Sequence, residues 1–279
     1  MKKKTITVIM LTLNEEYHLP NVINNVKDFA DNIFILDSFS SDKTLKIAKS
    51  KGVTVLQRKF TNFGDQWNYA LTNCPFNSDW TMKIDPDEEL TDSLKEEIKI
   101  KINSNNSKSA YEFRRRLWFM GKPLKVYNKV LRIWKTGNCK FSEVLVNEHP
   151  IINGEIGYLH GIMEHFDSMN LDHWINKQNN YSTLEALTIF NNLNLAAKPK
   201  LFGSSLQRKM YFKKIIFKIP FKYFFITYFN LFFKGAWKNG KSGFRWAKMR
   251  SFVYRLREYK VIEMKNSYKL KNETNYTRP

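Results

Sequence analysis

Two cysteines in 279 residues, Cys74 and Cys139, leave no disulfide framework and no zinc-ligand spacing. A reducing compartment suits such a chain. No apolar run is long enough to cross a bilayer either: residues 223–233 form an eleven-residue stretch closed off by Lys222 and Lys234. Behind Met1 stand three lysines and then a short β-like run, without the apolar stretch and cleavage site of a secretory leader. The expected location is therefore the cytoplasm. Internal repeats and low-complexity tracts are missing, as are helix-turn-helix, RNP and zinc-finger signatures.

Acidic residues are scarce in one part only. Residues 1–110 hold 15 Lys/Arg against 15 Asp/Glu, whereas residues 198–279 hold 21 against 3, out of a net charge of +20. So uneven a balance points to an anionic partner surface, either nucleic acid or lipid headgroups.

What is present is an alternation. Residues 6–13, 33–36, 53–56 and 80–84 are apolar and rich in β-branched side chains, as strands buried on both faces are. Between them Leu19, Val22, Ile23 and Val26 recur at helical spacing, residues 44–50 follow Ser/Asp cap candidates and precede Gly52, and residues 63–73 end before Pro75. A fourth helix is expected over 91–102. The order β-α-β-α-β-α-β predicts an α/β fold with a mainly parallel sheet flanked by helices. Ligands of such sheets sit beyond the carboxyl ends of the strands. Asn14/Glu15, Asp37/Ser38 and Asp85/Asp87, each just after a strand, are expected on one rim.

The most pointed feature of that rim is four acids within five positions, Asp85, Asp87, Glu88 and Glu89, at the end of an apolar strand. Carboxylates spaced i, i+2 can face one ligand, and hard oxygen donors suit Mg²⁺ or Mn²⁺ with a phosphate partner. A solvated acidic loop capping the next helix is the plain alternative. Past a polar connector at 103–109, strands are expected over 111–118, 130–134 and 143–149, and a helix over 172–191. Residues 212–237 are dense in aromatics and broken by lysines. They read either as a helix lying in a membrane interface or as a buried aromatic helix. The last residues, 265–279, are expected to fray.

Taken in order, Thr12-Leu13-Asn14-Glu15-Glu16, Asp37-Ser38-Phe39-Ser40-Ser41-Asp42-Lys43-Thr44, Phe63-Gly64-Asp65-Gln66-Trp67-Asn68 and Asp85-Pro86-Asp87-Glu88 resemble the blocks of the family 2 glycosyltransferases. The narrower likeness is to the bacterial lipopolysaccharide-core β-glucosyltransferase group. It continues through Arg132, Val146-Asn147-Glu148 and the segment from Gly235 to Gly243-Phe244. The resemblance implies a GT-A fold and an inverting transfer of a sugar, glucose by group likeness, from a UDP-sugar with Mg²⁺ or Mn²⁺. Thr12, Leu13, Asn14, Glu15 and Asp37 would hold uracil and ribose, although Asn14 and Asp37 could instead cap helices. Gln66 and Asn68, at a helix start, would face the nucleotide or belong to a surface helix. Asp85 would touch ribose or sugar, Asp87 the metal, and Arg132 the diphosphate. Glu148 would be the base that takes the acceptor proton, with Glu143 and Glu164 as substitutes. His165 would add a metal or phosphate contact or be structural, and Arg114, Arg115 and Arg116 would be split between strand faces. Glu88 and Glu89 are left loop and helix-start roles.

Three departures stand out: Phe39 where the group has glycine, Pro86 where it has alanine, and Asn147 where it has histidine. Arg245-Trp246 is preceded by Ser242 where processive synthases carry glutamine, so addition of a single sugar is expected. The expected division is a nucleotide-sugar half over 1–110, an acceptor half of the same domain over 111–197, and a basic, aromatic-rich helical region over 198–279 at the membrane surface. The acceptor would be a lipid-linked or lipopolysaccharide-core glycan. A nucleic-acid-binding protein is the rival reading from the basic tail, but it leaves the acidic rim unexplained, so nucleic acid is not an expected partner. A nucleotidyltransferase would need a Gly/Arg/Lys-rich loop where Asn14-Glu15-Glu16 stands.

Overall fold

The computed structural model describes residues 3–142, 148–168, 170–193, 198–203, 205–215 and 219–276. It divides into two compact units, residues 1–142 with 149–170, and residues 143–148 with 171–279.

The first unit is built on β1 (Ile6–Thr12), β2 (Asn32–Asp37), β3 (Thr54–Gln57), β4 (Trp80–Lys83), β5 (Glu88–Leu90), β6 (Ala110–Phe119), β7 (Lys122–Lys135) and β10 (Ile156–His165). These eight strands form one sheet in the order β3-β2-β1-β4-β7-β6-β10-β5. The first four run parallel, β7 turns antiparallel against β4 and β6, and β10 runs parallel to β6. A second, two-stranded sheet pairs β8 (Cys139–Phe141) with β9 (Pro150–Ile152). Helices α1 (Leu19–Val26), α2 (Thr44–Ser50), α3 (Phe63–Asn73) and α4 (Asp92–Asn103) connect the strands. This is the α/β arrangement expected from the alternation.

The strands are apolar on both faces because both are covered. Val8 and Met10 face one core with Leu19, Val22, Ile35, Leu94 and Ile98, while Ile9 faces another with Phe34, Leu36, Trp67 and Trp134. Asn62 caps α3 by accepting the Asp65 N–H, and Thr91 caps α4 by accepting the Leu94 N–H. Gly52 takes φ +70° after α2, which only glycine does freely.

The second unit contains α5 (Leu171–Phe190), α6 (Ser205–Ile215), α7 (Lys222–Tyr228), a π-helical turn (Phe229–Phe233), a 3-10 turn (Ala236–Asn239) and α8 (Gly240–Tyr276). Arg257 pairs with Glu185 at 2.7 Å and Lys260 donates to the Asn179 carbonyl at 2.7 Å, which ties α8 to α5. Among the described residues no helix is long and apolar enough to cross a membrane.

Several sequence expectations need correction. Residues 88–90 are not the loop before a helix but an edge strand, antiparallel to β10. The strand expected over 130–134 runs from Lys122 to Lys135, because Met120 and Gly121 (φ +51° and +71°) make a tight hairpin with β6. The aromatic stretch is not one helix. Pro220 bars Ile219 from helix, Phe221 takes φ +53° before α7, and Gly235 (φ +76°) closes the π-helical turn. The expected frayed tail is helical through Tyr276, as part of the 37-residue α8. Because α8 packs against several elements, its apolar residues do not form the single stripe that a sequence pattern needs. Residues 143–147 lie outside the described residues, and Glu148 and His149 are not in a strand.

Candidate active site

The parallel pairing of β1, β2 and β4 sends their carboxyl ends to one edge, where the polar residues after each strand collect. Thr12 lies opposite Asp37 in register. Asp37 is fully buried and accepts hydrogen bonds from the Thr12 hydroxyl (2.8 Å), the Ser40 N–H (2.9 Å) and the Gln57 amide (3.1 Å). It is the hub that ties β1 to the loop after β2, and a ribose hydroxyl would have to displace one of these donors. Asn14 takes φ +57°, donates its N–H to Ser40 Oγ at 2.9 Å and accepts the Ser41 N–H at 2.8 Å. The Glu15 N–H reaches Thr44 Oγ1 at 2.8 Å, while Leu13 stands exposed at the rim. The turn at Phe39 keeps the left-handed conformation, φ +61°, even with an aromatic side chain where the resembling group has glycine.

Gln66 and Asn68 are both committed within the protein. Gln66 is fully buried and donates to Ser38 Oγ (3.1 Å) and the Arg58 carbonyl (3.2 Å). Asn68 pairs with both backbone groups of Phe141, donating to its carbonyl at 3.0 Å and accepting its N–H at 2.8 Å. The spacing of two at a helix start has brought together a scaffold, joining α3 to the β2 loop and to β8.

Beyond β4 the acids separate into two clusters. The first is built on Glu88, which has no exposed surface. One of its oxygens accepts from Arg115 at 2.6 Å and from Arg132, and the other accepts the Asp85 N–H at 3.0 Å. Arg132 also donates to Asp85 at 2.7 Å, and Lys83 lies 3.7 Å from Asp85 while resting against the Trp67 ring at 4.4 Å. Burial works against the charge on Asp85, but Lys83 and Arg132 outweigh it and hold the carboxyl down at about 2. Arg132 thus meets two carboxylates in this structure. The loop role expected for Glu88 is overturned: it is the buried anion that holds two arginines beside Asp85. Arg116 pairs with Glu164 on β10, whereas Arg115 goes to Glu88, so the arginine run is split as expected.

The second cluster is the metal candidate. Asp87, His165 and Asp167 bring two carboxylate oxygens and an imidazole nitrogen within 4.8 Å of one another. His165 Nε2 lies 3.3 Å from Asp87 and 4.0 Å from Asp167. The antiparallel pairing of β5 with β10 sets His165 opposite Glu88, and the Phe166 N–H donates to the Asp87 carbonyl at 2.8 Å. Asp167, at φ +48°, then folds back toward the pair. Two hard oxygens and one nitrogen form a donor set that fits Mg²⁺ or Mn²⁺. Asp87 and His165 are the two metal candidates of the sequence, and the structure adds Asp167 to them, for which the spacing of two after His165 is the available signal.

Of the base candidates, Glu164 is taken: Arg116 holds it through two nitrogens and Trp118 Nε1 donates to it at 2.6 Å, which removes it as a substitute. Glu143 lies outside the described residues. Glu148 is half-buried and groups with the second unit.

Comparison with known proteins points to one enzyme family. Residues 7–128 match the family described as glycosyl transferase family 2. A lipopolysaccharide core biosynthesis glycosyltransferase, LpsC of Rhizobium meliloti, is 26% identical over 87% of this chain and 86% of its own length. A protein of Rickettsia typhi named as an uncharacterized glycosyltransferase is 28% identical over 70% of this chain and 73% of its own. Among solved structures, glucosyl-3-phosphoglycerate synthase from Mycobacterium tuberculosis, in complex with Mn²⁺ and UDP-glucose, aligns with 40% of this chain and 44% of its own. At TM-score 0.36 and 21% identity that likeness is too loose to bear on substrate.

Proposed function

We propose that this chain, which belongs to the family 2 glycosyl transferases through residues 7–128, moves one sugar from a UDP-sugar to a lipid-linked or lipopolysaccharide-core glycan at the cytoplasmic membrane face. The observation that carries the reading is the convergence of Asp87, His165 and Asp167 at the carboxyl rim of the parallel strands. These three side chains would hold Mg²⁺ or Mn²⁺, with the imidazole nitrogen favouring Mn²⁺. When bound, the ion supplies Lewis-acid neutralisation of the departing diphosphate.

The chain's own groups do the rest. Thr12, Leu13, Asn14 and Glu15, braced by Asp37, line the rim where uracil and ribose would lie. Asp85, kept ionised by Lys83 and Arg132, is set to accept hydrogen bonds from ribose or sugar hydroxyls. Glu148 is the proposed base, on the strength of the Val146-Asn147-Glu148 block. It would take the acceptor hydroxyl proton as that oxygen attacks the anomeric carbon from the face opposite UDP, which inverts the configuration. Glucose is the proposed sugar, supported by the resemblance to the core β-glucosyltransferases, and the lipid-linked acceptor is supported by the LpsC likeness.

The test is Asp87→Ala. Mn²⁺ binding, read by loss of the free-ion EPR signal, and UDP release from UDP-glucose should both disappear while the circular dichroism spectrum is unchanged. A folded variant that still binds Mn²⁺ and turns over donor would overturn the assignment.

A further inference from the structure

A water-facing helix in a soluble protein turns its apolar stripe inward. In the second unit α7 and the π-helical turn do the reverse. Phe224, Phe225, Tyr228, Phe229, Phe232 and Phe233 follow the three-and-four spacing of one helix face, and all are 46–74% exposed. The buried side of the same segment is Ile226 and the polar Asn230. That inner side is anchored to α8: Ser251 Oγ donates to the Tyr223 carbonyl at 2.8 Å, and Lys222 pairs with Glu258 at 2.6 Å. The aromatic face is thus held outward by the packing behind it.

Charge says what covers it. No Asp or Glu occurs from residue 186 to residue 257, a span holding 16 Lys/Arg. The acids at its two ends are consumed internally, Glu185 by Arg257 and Glu258 by Lys222 and Tyr223. Just past the stripe, Trp237 and Phe244 are exposed with lysine ammonium groups 5.8 and 4.7 Å from their rings, and Lys238, Lys241 and Lys248 are exposed with them. A second copy of this chain on the stripe would set cationic rim against cationic rim. A bilayer of anionic lipid offers the complementary arrangement, an apolar layer for the phenyl rings beneath a negative headgroup layer for the lysines.

We propose that the face formed by α7 and the π-helical turn inserts into the interface of an anionic bilayer, with Phe224, Phe229 and Phe233 as anchors and Lys238, Lys241 and Lys248 as the headgroup contacts. This deepens the membrane-acceptor reading above, yet its test involves no sugar nucleotide, so the two fail separately.

The experiment is sedimentation of the full chain with phosphatidylcholine vesicles carrying about a third phosphatidylglycerol, and with phosphatidylcholine alone. Partition should fall roughly tenfold or more on omitting the anionic lipid, in Phe224→Ser/Phe229→Ser/Phe233→Ser, and in Lys238→Glu/Lys241→Glu/Lys248→Glu. Both variants should keep the wild-type circular dichroism spectrum, and Asp87→Ala should bind vesicles as the wild type does. Unchanged partition of the folded phenylalanine variant overturns the proposal. So does a wild-type dimer, by analytical ultracentrifugation, that this variant dissolves. Should the variant not fold, quenching by brominated acyl chains decides, read as the difference between the wild type and Trp237→Phe; no difference overturns the proposal.

Discussion

Glu88 offers the sharpest test of how the acid rim is held. Its carboxylate has no exposed surface and lies between Arg115, whose side chain is 20% exposed, and Arg132, whose side chain is 9% exposed. Glu88→Gln keeps the shape, removes the charge, and leaves two guanidinium groups sharing less than they need. Removing one partner of a buried pair costs about 3–5 kcal/mol. Asp85 stays within 2.7 Å of Arg132 and compensates part of the loss, which puts the expectation near the lower end, about 3 kcal/mol. At roughly 2–4 °C per kcal/mol for a domain of this size, the first unit should melt roughly 6–12 °C lower. Differential scanning calorimetry reads this directly. The neighbour provides the control. Glu89 is half-buried and burial pushes its carboxyl up, so Glu89→Gln discards a charge the fold already disfavours and should change stability by no more than about 0.5 kcal/mol. Equal melting temperatures for Glu88→Gln and wild type would refute the view that Glu88 holds the cluster. Restoration of part of the loss by adding Arg115→Met would support it, since the stranded cation is then gone.

Phe39→Gly should raise the melting temperature, since φ +61° costs an L-residue about 1–2 kcal/mol and the ring is exposed and buries little; an unchanged or lower value would argue against strain at that turn. Asn68→Ala strands both backbone groups of buried Phe141 and should cost about 2–4 kcal/mol by thermal unfolding, whereas a neutral result would mean water replaces the amide. Burial pushes the Cys139 thiol up to about 12, leaving on the order of one thiolate in ten thousand at pH 8. Its alkylation by iodoacetamide, followed by mass spectrometry, should therefore be far slower in the native protein than in urea, and equal rates would contradict its burial.

The rim was legible because it depends on connectivity alone. Once residues 6–13, 33–36 and 80–84 are parallel strands, Thr12, Asp37 and Asp85 must leave the sheet at one edge, and the register of β1 with β2 sets Thr12 against Asp37. Asp87 and His165 were candidates because a carboxylate and an imidazole are the side chains that can ligate a metal, wherever the fold puts them. Partners set by side-chain packing were not legible. Gln66 and Asn68 looked available to a nucleotide, and the fold spends them on Ser38, Arg58 and Phe141. Glu164 looked like a free carboxylate until β6 brought Arg116 and Trp118 to it across a strand pair, from 48 and 46 residues away in sequence.

The sequence by itself determined the alternation that makes the α/β sheet, the acid-rich strand end and the separation of a neutral first part from a cationic last part. Period and composition are local quantities, and each residue contributes to them wherever it ends up. Only the tertiary structure decided that Glu88 is an internal anion, that Asp167 joins Asp87 and His165, and that the aromatic stripe faces outward. Each of these depends on which surface a neighbouring element covers. The pairing of β5 with β10 settles the first two, and the polar anchoring of α7 on α8 settles the third.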